Sequence, residues 1–125
     1  MSRVEITQNR GPEVITSVDQ NISGGVVNFY SEIYDVRLYT LHSYQVISES
    51  EDIDFTIIAS NVVIDDAGNT SQNFDTDWTV ISNHTVSAGI PFGYSDIWNF
   101  NFSAVLIKNF SANSSRVQVL EKHNA

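Results

Sequence analysis

The 125-residue chain contains no cysteine, which removes a disulfide framework, a thiolate metal site and a thiol nucleophile together. Charge is scarce and one-sided: 17% of residues are charged, six basic against fifteen acidic, for a net charge of −9. Such a chain repels a phosphate backbone, so no nucleic-acid partner is expected. No stretch approaches the roughly 18 uninterrupted apolar residues of a membrane helix, and Met1-Ser2-Arg3-Val4-Glu5-Ile6 lacks the apolar run of a secretory signal. Neither membrane insertion nor standard export is expected. Catalytic signatures are missing too. Gly24-Gly25 lacks the lysine of a phosphate loop, and Gly93-Tyr94-Ser95-Asp96 lacks the second glycine of a nucleophile elbow. The three histidines, His42, His84 and His123, lie far apart in sequence and match no zinc spacing. The chain is read as a non-enzyme without a cofactor.

What is present is alternation. Tyr34-Asp35-Val36-Arg37-Leu38 and Ile53-Asp54-Phe55-Thr56-Ile57 place apolar residues on one parity, as strands with one wet face require. The longest example sets Trp98, Phe100, Phe102, Ala104 and Leu106 on one face and Asn99, Asn101 and Ser103 on the other. From Val105 to Ile107 both faces are apolar, which predicts a strand entering the centre of the structure. Shorter segments rich in β-branched or aromatic residues are Val4 to Ile6, Val14 to Val18, Val26 to Tyr30, Tyr44 to Ile47, Trp78 to Ile81 and Val117 to Leu120. Turn chemistry separates them at Gly11-Pro12, Gly24-Gly25, Asp65 to Asn69, Gly89-Ile90-Pro91 and Asn113-Ser114-Ser115. The prediction is all-β: a single domain over residues 1–125, an antiparallel β-sandwich or jelly roll of about eight strands. Residues 1–18 are read as an N-terminal arm or edge strand, and Lys122 to Ala125 as loose. Tyr30, Ile33, Tyr34, Arg37, Leu38 and Leu41 also fit a helical stripe, with strand preferred because Tyr, Val and Thr dominate the segment.

Two acidic groups could bear chemistry. Glu49, Glu51, Asp52 and Asp54 sit at a loop-to-strand junction, where solvated acids keep an edge unpaired. Asp65, Asp66, Asn69, Asp75 and Asp77 offer the oxygen ligands that calcium prefers, but no EF-hand spacing is present and Asp-Asp-Ala-Gly-Asn is a good hairpin turn by itself. The six Asn-x-Ser/Thr triplets, at Asn21, Asn69, Asn83, Asn101, Asn109 and Asn113, read as the by-product of an Asn- and Ser-rich surface. Phe92 and Tyr94 beside Pro91 could stack on sugar rings; the preferred reading plugs the end of the sandwich or packs them on a neighbouring subunit.

The start Met1-Ser2-Arg3, the Asn/Ser/Thr-rich strands, the lack of cysteine and the stretch from Ser87-Ala88-Gly89-Ile90-Pro91 through Asp96-Ile97-Trp98-Asn99-Phe100 to Arg116-Val117-Gln118-Val119 together resemble small β-sandwich structural proteins of tailed bacteriophages, of the head decoration or cement and collar or fibre types. The resemblance implies a virion location, a homo-oligomer with a trimer favoured, and contacts to capsid or other virion proteins. The interface it suggests comprises Val4, Ile6 and Val14 of the arm, with Phe92 and Tyr94. A carbohydrate- or receptor-binding module of a phage tail or fibre is the alternative, with Trp78, Phe92, Tyr94 or Trp98 facing the sugar.

Overall fold

The computed structural model describes residues 2–3, 13–61, 69–70 and 77–125, with the side chains of 2–3 and 69–70 excepted. Eleven strands occur among them: β1 (Ser2–Arg3), β2 (Val14–Ile22), β3 (Phe29–Tyr30), β4 (Tyr34–Asp35), β5 (Leu41–Ser48), β6 (Ile53–Ser60), β7 (Asn69–Thr70), β8 (Thr79–Val86), β9 (Phe92–Ile97), β10 (Phe102–Lys108) and β11 (Ser115–Asn124). Nine of them form two antiparallel sheets. Sheet one has the order β3-β10-β6-β8, with β4 also on β10; sheet two has the order β2-β11-β5-β9; β1 and β7 form a separate ribbon. With β3 and β4 counted as one interrupted strand, the eight strands run 2-7-4-5 in sheet one and 1-8-3-6 in sheet two. That is the order of a jelly roll.

Side-chain alternation decides what lies between the sheets. On β5, Tyr44 and Val46 point inward while Leu41 and Gln45 face solvent; on β11, Val117 and Val119 point inward and Arg116 outward. They meet Ile53, Phe55, Ile57 and Ala59 of β6 and Val105 and Ile107 of β10 in the main core. The central strands of sheet one are buried on both faces. Ile58, Phe102 and Ala104 point away from the main core and pack with Ile33 and Trp78 in a second cluster. Each fully buried aliphatic or phenyl side chain contributes roughly 1.5–3 kcal/mol. With sixteen buried residues in the main cluster and five in the second, most of the stabilisation sits between the sheets.

The Gly24-Gly25 turn needs both glycines. A Cβ on Gly24 would collide with the backbone carbonyl of Ala112, and Gly25 has φ of 81°, where a side chain is strained.

The all-β expectation holds, and the helical option over Tyr30 to Leu41 does not: the segment forms β4 and a turn, with no helix among the described residues. β10 does run through the middle of sheet one. Three details differ from expectation. The strand starts at Phe102, and Trp98 and Phe100 turn into the main core while Phe102 joins the second cluster; the irregular residues 98–101 break the parity on which the alternation relied. Phe92 and Tyr94, read only as lying beside the Gly89-Ile90-Pro91 turn, belong to strand β9. The C-terminal residues are not loose: β11 continues to Asn124 and pairs with β5 throughout.

Candidate functional site

The least expected arrangement lies at one end of the main core. His42 of β5 and His123 of β11 are direct cross-strand partners, and their Nδ1 atoms are 2.7 Å apart. His123 Nε2 is 3.1 Å from Glu121 Oε1, and His42 Nε2 is 3.1 Å from the Trp98 carbonyl oxygen. The His42 ring also stacks on the Trp98 indole at 3.5 Å. His42, His123 and Glu121 are 0%, 2% and 1% exposed.

Proton accounting follows from these contacts. A carbonyl only accepts, so His42 Nε2 carries a hydrogen and donates it. In neutral His42 the Nδ1 is then a lone pair, which accepts from His123 Nδ1–H. One proton remains between His123 Nε2 and Glu121 Oε1. Burial, and then the neighbouring His123, hold the His42 imidazole down to about 4. Tyr44, the cross-strand partner of Glu121, has its phenol pushed well up by burial and then by the Glu121 charge. Among the described residues Trp98 Nε1 and Glu121 Oε2 are buried without a hydrogen-bond partner, and the Tyr44 hydroxyl has the Ser103 hydroxyl as its neighbour. Sequence reasoning missed this cluster because 81 residues separate the two histidines; the signal available was the shared parity of Glu121 and His123 with Val117 and Val119. Among the described residues the cluster is enclosed between the sheets.

The second feature is the side of the sandwich where β8 and β9 lie as the end strands of their sheets. Phe92 and Tyr94 of β9 pack on His84 of β8, with ring centroids 4.9 and 4.4 Å away, closing the gap between the layers. The Tyr94 hydroxyl donates to Asp96 Oδ2 at 2.8 Å, which holds the Asp96 carboxyl below its ordinary range. β9 pairs with β5 residue for residue from Val46–Phe92 to Leu41–Ile97, without a bulge. It contains no lysine, arginine or proline, and its single charge is Asp96. A shallow groove of about 420 Å³ runs along it, lined by Tyr44, Gln45, Pro91, Phe92, Gly93, Tyr94 and Ser95. The opposite edge of sheet two is blunted: β2 is bulged at Ser17, where the β11 register shifts, and carries an Asp19–Arg116 ion pair.

A third feature is a groove of about 470 Å³ lined by Glu51, Asp52, Ile53, Asp54, Thr85, Ala88, Phe110 and Ser111. Phe110 is 66% exposed. Its loop is tied by the fully buried Asn109, whose Nδ2 donates to the carbonyls of Ile22 and Asn113 and whose Oδ1 accepts from the Ser111 hydroxyl.

Of the residues singled out from sequence, Val4, Ile6, Asp65, Asp66 and Asp75 lie outside the described residues. Asn69 pairs with Arg3 in the β1–β7 ribbon. Asp77 is exposed beside buried Trp78, and its carbonyl accepts from the Ser60 hydroxyl. Val14 is exposed at the start of β2, opposite Lys122. Trp78 and Trp98, considered as sugar platforms, are both buried.

No protein-family model matches the chain, and none of the curated proteins does. Among solved structures, the crystal structure of tripeptidyl peptidase 2 aligns with a TM-score of 0.59 at 9% identity, covering 98% of this chain and 10% of that one. This chain is thus similar in length to a small part of that protein. A carbohydrate-binding module from Cellvibrio mixtus lichenase 5A, in complex with cellotriose, aligns with a TM-score of 0.45 at 11% identity over 95% of this chain and 92% of that one. The Tobacco streak virus coat protein aligns with a TM-score of 0.39 at 6% identity, over 94% and 90%. The first likeness is one of fold alone.

Proposed function

We propose that this protein is a non-enzymatic structural subunit of a virion, a decoration or cement protein that forms oligomers, with a trimer favoured, and bridges neighbouring shell subunits. The observation that carries the reading is strand β9: six residues in regular register, unbulged, almost uncharged, at the end of a sheet. Such an edge displays backbone donors and acceptors in a row and can take up a strand from a neighbour. A chain of net charge −9 associates with copies of itself more readily where charge is sparse, and β8 and β9 together carry one formal charge, Asp96. Phe92 and Tyr94 line the groove there, in keeping with their reading as interface residues. The enclosed His42–His123–Glu121 cluster supports a structural role over a catalytic one.

The test is the mass in solution by light scattering, with and without shells that lack the protein. A discrete oligomer that saturates the shells is the expected result. A monomer that ignores them overturns the proposal.

One observation favours a binding module as the second reading. Phe110 is presented to solvent on a tied loop beside three carboxylates, a combination able to stack on and hydrogen-bond a sugar ring. That reading expects a glycan-dependent rise in Tm, which Phe110→Ala should remove.

A further inference from the structure

We propose that the Glu121–His123–His42 chain is an acid-sensitive latch that holds the C-terminal end of β11 on β5 and lets it go when His42 takes up a second proton. The argument is one of donors and acceptors. With Nε2–H committed to the Trp98 carbonyl, His42 offers His123 a single lone pair at Nδ1, and the 2.7 Å contact depends on it. A proton placed there either sets two N–H groups facing each other or drives the His123 hydrogen on to Glu121, and in both cases the buried chain is left with an uncompensated positive charge. Burying that charge unpaired is costly, and the cost is relieved when this end of the core opens to solvent.

The position of the pair converts this local conflict into an opening. Beyond His42–His123 toward the end of β11 lie the cross-strand pair Leu41–Asn124 and the hydrogen bond that Thr40 N–H donates to the Asn124 carbonyl, while on the other side β2 reaches only to Lys122. Separation of the two imidazoles therefore frees the end of the strand without disturbing Val46–Val119 or Ser48–Val117 further in.

The groups around His42 set its response. On β11 these are His123 and Glu121, and on its own strand Tyr44. On β9, Asp96 is its direct cross-strand partner, hydrogen-bonded in turn by Tyr94. Across the core, the inward-facing residues of sheet one add Tyr34, Ser103 and His84, with no carboxylate, lysine or arginine among the described residues. Asp96 alone favours the His42 cation as a fixed negative charge outside the chain, while burial and His123 oppose it. This balance places the transition in acidic solution, near pH 4. The latch operates whether the protein assembles into shells or binds a ligand.

Amide hydrogen exchange read by NMR at pH 7 and pH 3.5, corrected for intrinsic rates, tests the latch together with the ¹⁵N shifts of the His42 ring. The expected result is at least a tenfold loss of protection at residues 41–43 and 122–124 on acidification, with protection retained in β6 and β10, and a His42 ring that gains its proton over the same range. Equal loss in both regions, or no loss, overturns the proposal. His42→Phe keeps a ring against Trp98 but cannot titrate, and should abolish the selective loss. If it still shows that loss, the latch is elsewhere and the proposal fails. Should this variant not fold, the wild-type experiment decides alone.

Discussion

Strands β5 and β11 share one ladder but bury two different interiors. At one end Ser48 faces Val117 and Val46 faces Val119; at the other Tyr44 faces Glu121 and His42 faces His123. The Val46 end joins Ile53, Phe55, Ile57, Val105 and Ile107 in contacts that depend on volume and not on direction. The histidine end depends on direction, and two of its polar atoms, Trp98 Nε1 and Glu121 Oε2, have no partner, each at a cost of roughly 1–3 kcal/mol. The apolar end therefore supplies stability. The polar end consumes some of it, in exchange for a register that hydrogen bonds specify and a sensitivity to protons that an apolar core lacks.

The comparison can be broken at either end. Phe55→Ala removes the largest fully buried ring of the apolar half and should cost about 3–5 kcal/mol in chemical denaturation. Asn109→Ala lies outside both interiors but strips the donors from the Ile22 and Asn113 carbonyls. Its expected cost is about 2–3 kcal/mol, with loss of order confined to residues 109–113. Converting the polar half to the character of the other, by combining His42→Phe, Glu121→Leu and His123→Leu, should be neutral or gain about 1–2 kcal/mol at pH 7. A large loss in that triple variant would show that the polar end stabilises the fold.

The wild-type pH profile sharpens the contrast further. His42 titrates near 6.5 when unfolded and near 4 when folded. As pH falls the unfolded chain takes the proton first, so this contribution is complete above pH 6.5 and is lost between about 6.5 and 4. Tm should drop by several degrees over that window, and the triple variant should lack this component. The smallest effect on stability belongs to Gly93→Lys. A Cβ there meets nothing within 4 Å, so folding should change by less than about 0.5 kcal/mol. The mass by light scattering should nonetheless fall toward the monomer, because the charge sits on the edge proposed for assembly.

How far the site could be read from sequence differs between the same two regions. The alternation in Ile53 to Ile57 and the two-sided apolar run at Val105 to Ile107 were legible as central strands because burial of apolar surface imposes a period on neighbouring residues. Phe92 to Ile97 was not, since Gly93, Pro91 and the polar Ser95 and Asp96 imitate a turn, and only pairing with β5 holds them extended. Trp98 was placed on the wrong face because an irregular stretch of four residues resets parity without leaving a local mark.

By itself, then, the sequence determined the all-β class, the absence of a thiol, the net acidic charge and most of the strands, all of which follow from composition and from interactions between near neighbours. The tertiary structure decided which strand ends a sheet and which side chains meet across it. The Glu121–His123–His42 chain depends on β11 lying antiparallel to β5 in one register, a pairing between segments far apart in sequence that neither segment encodes alone.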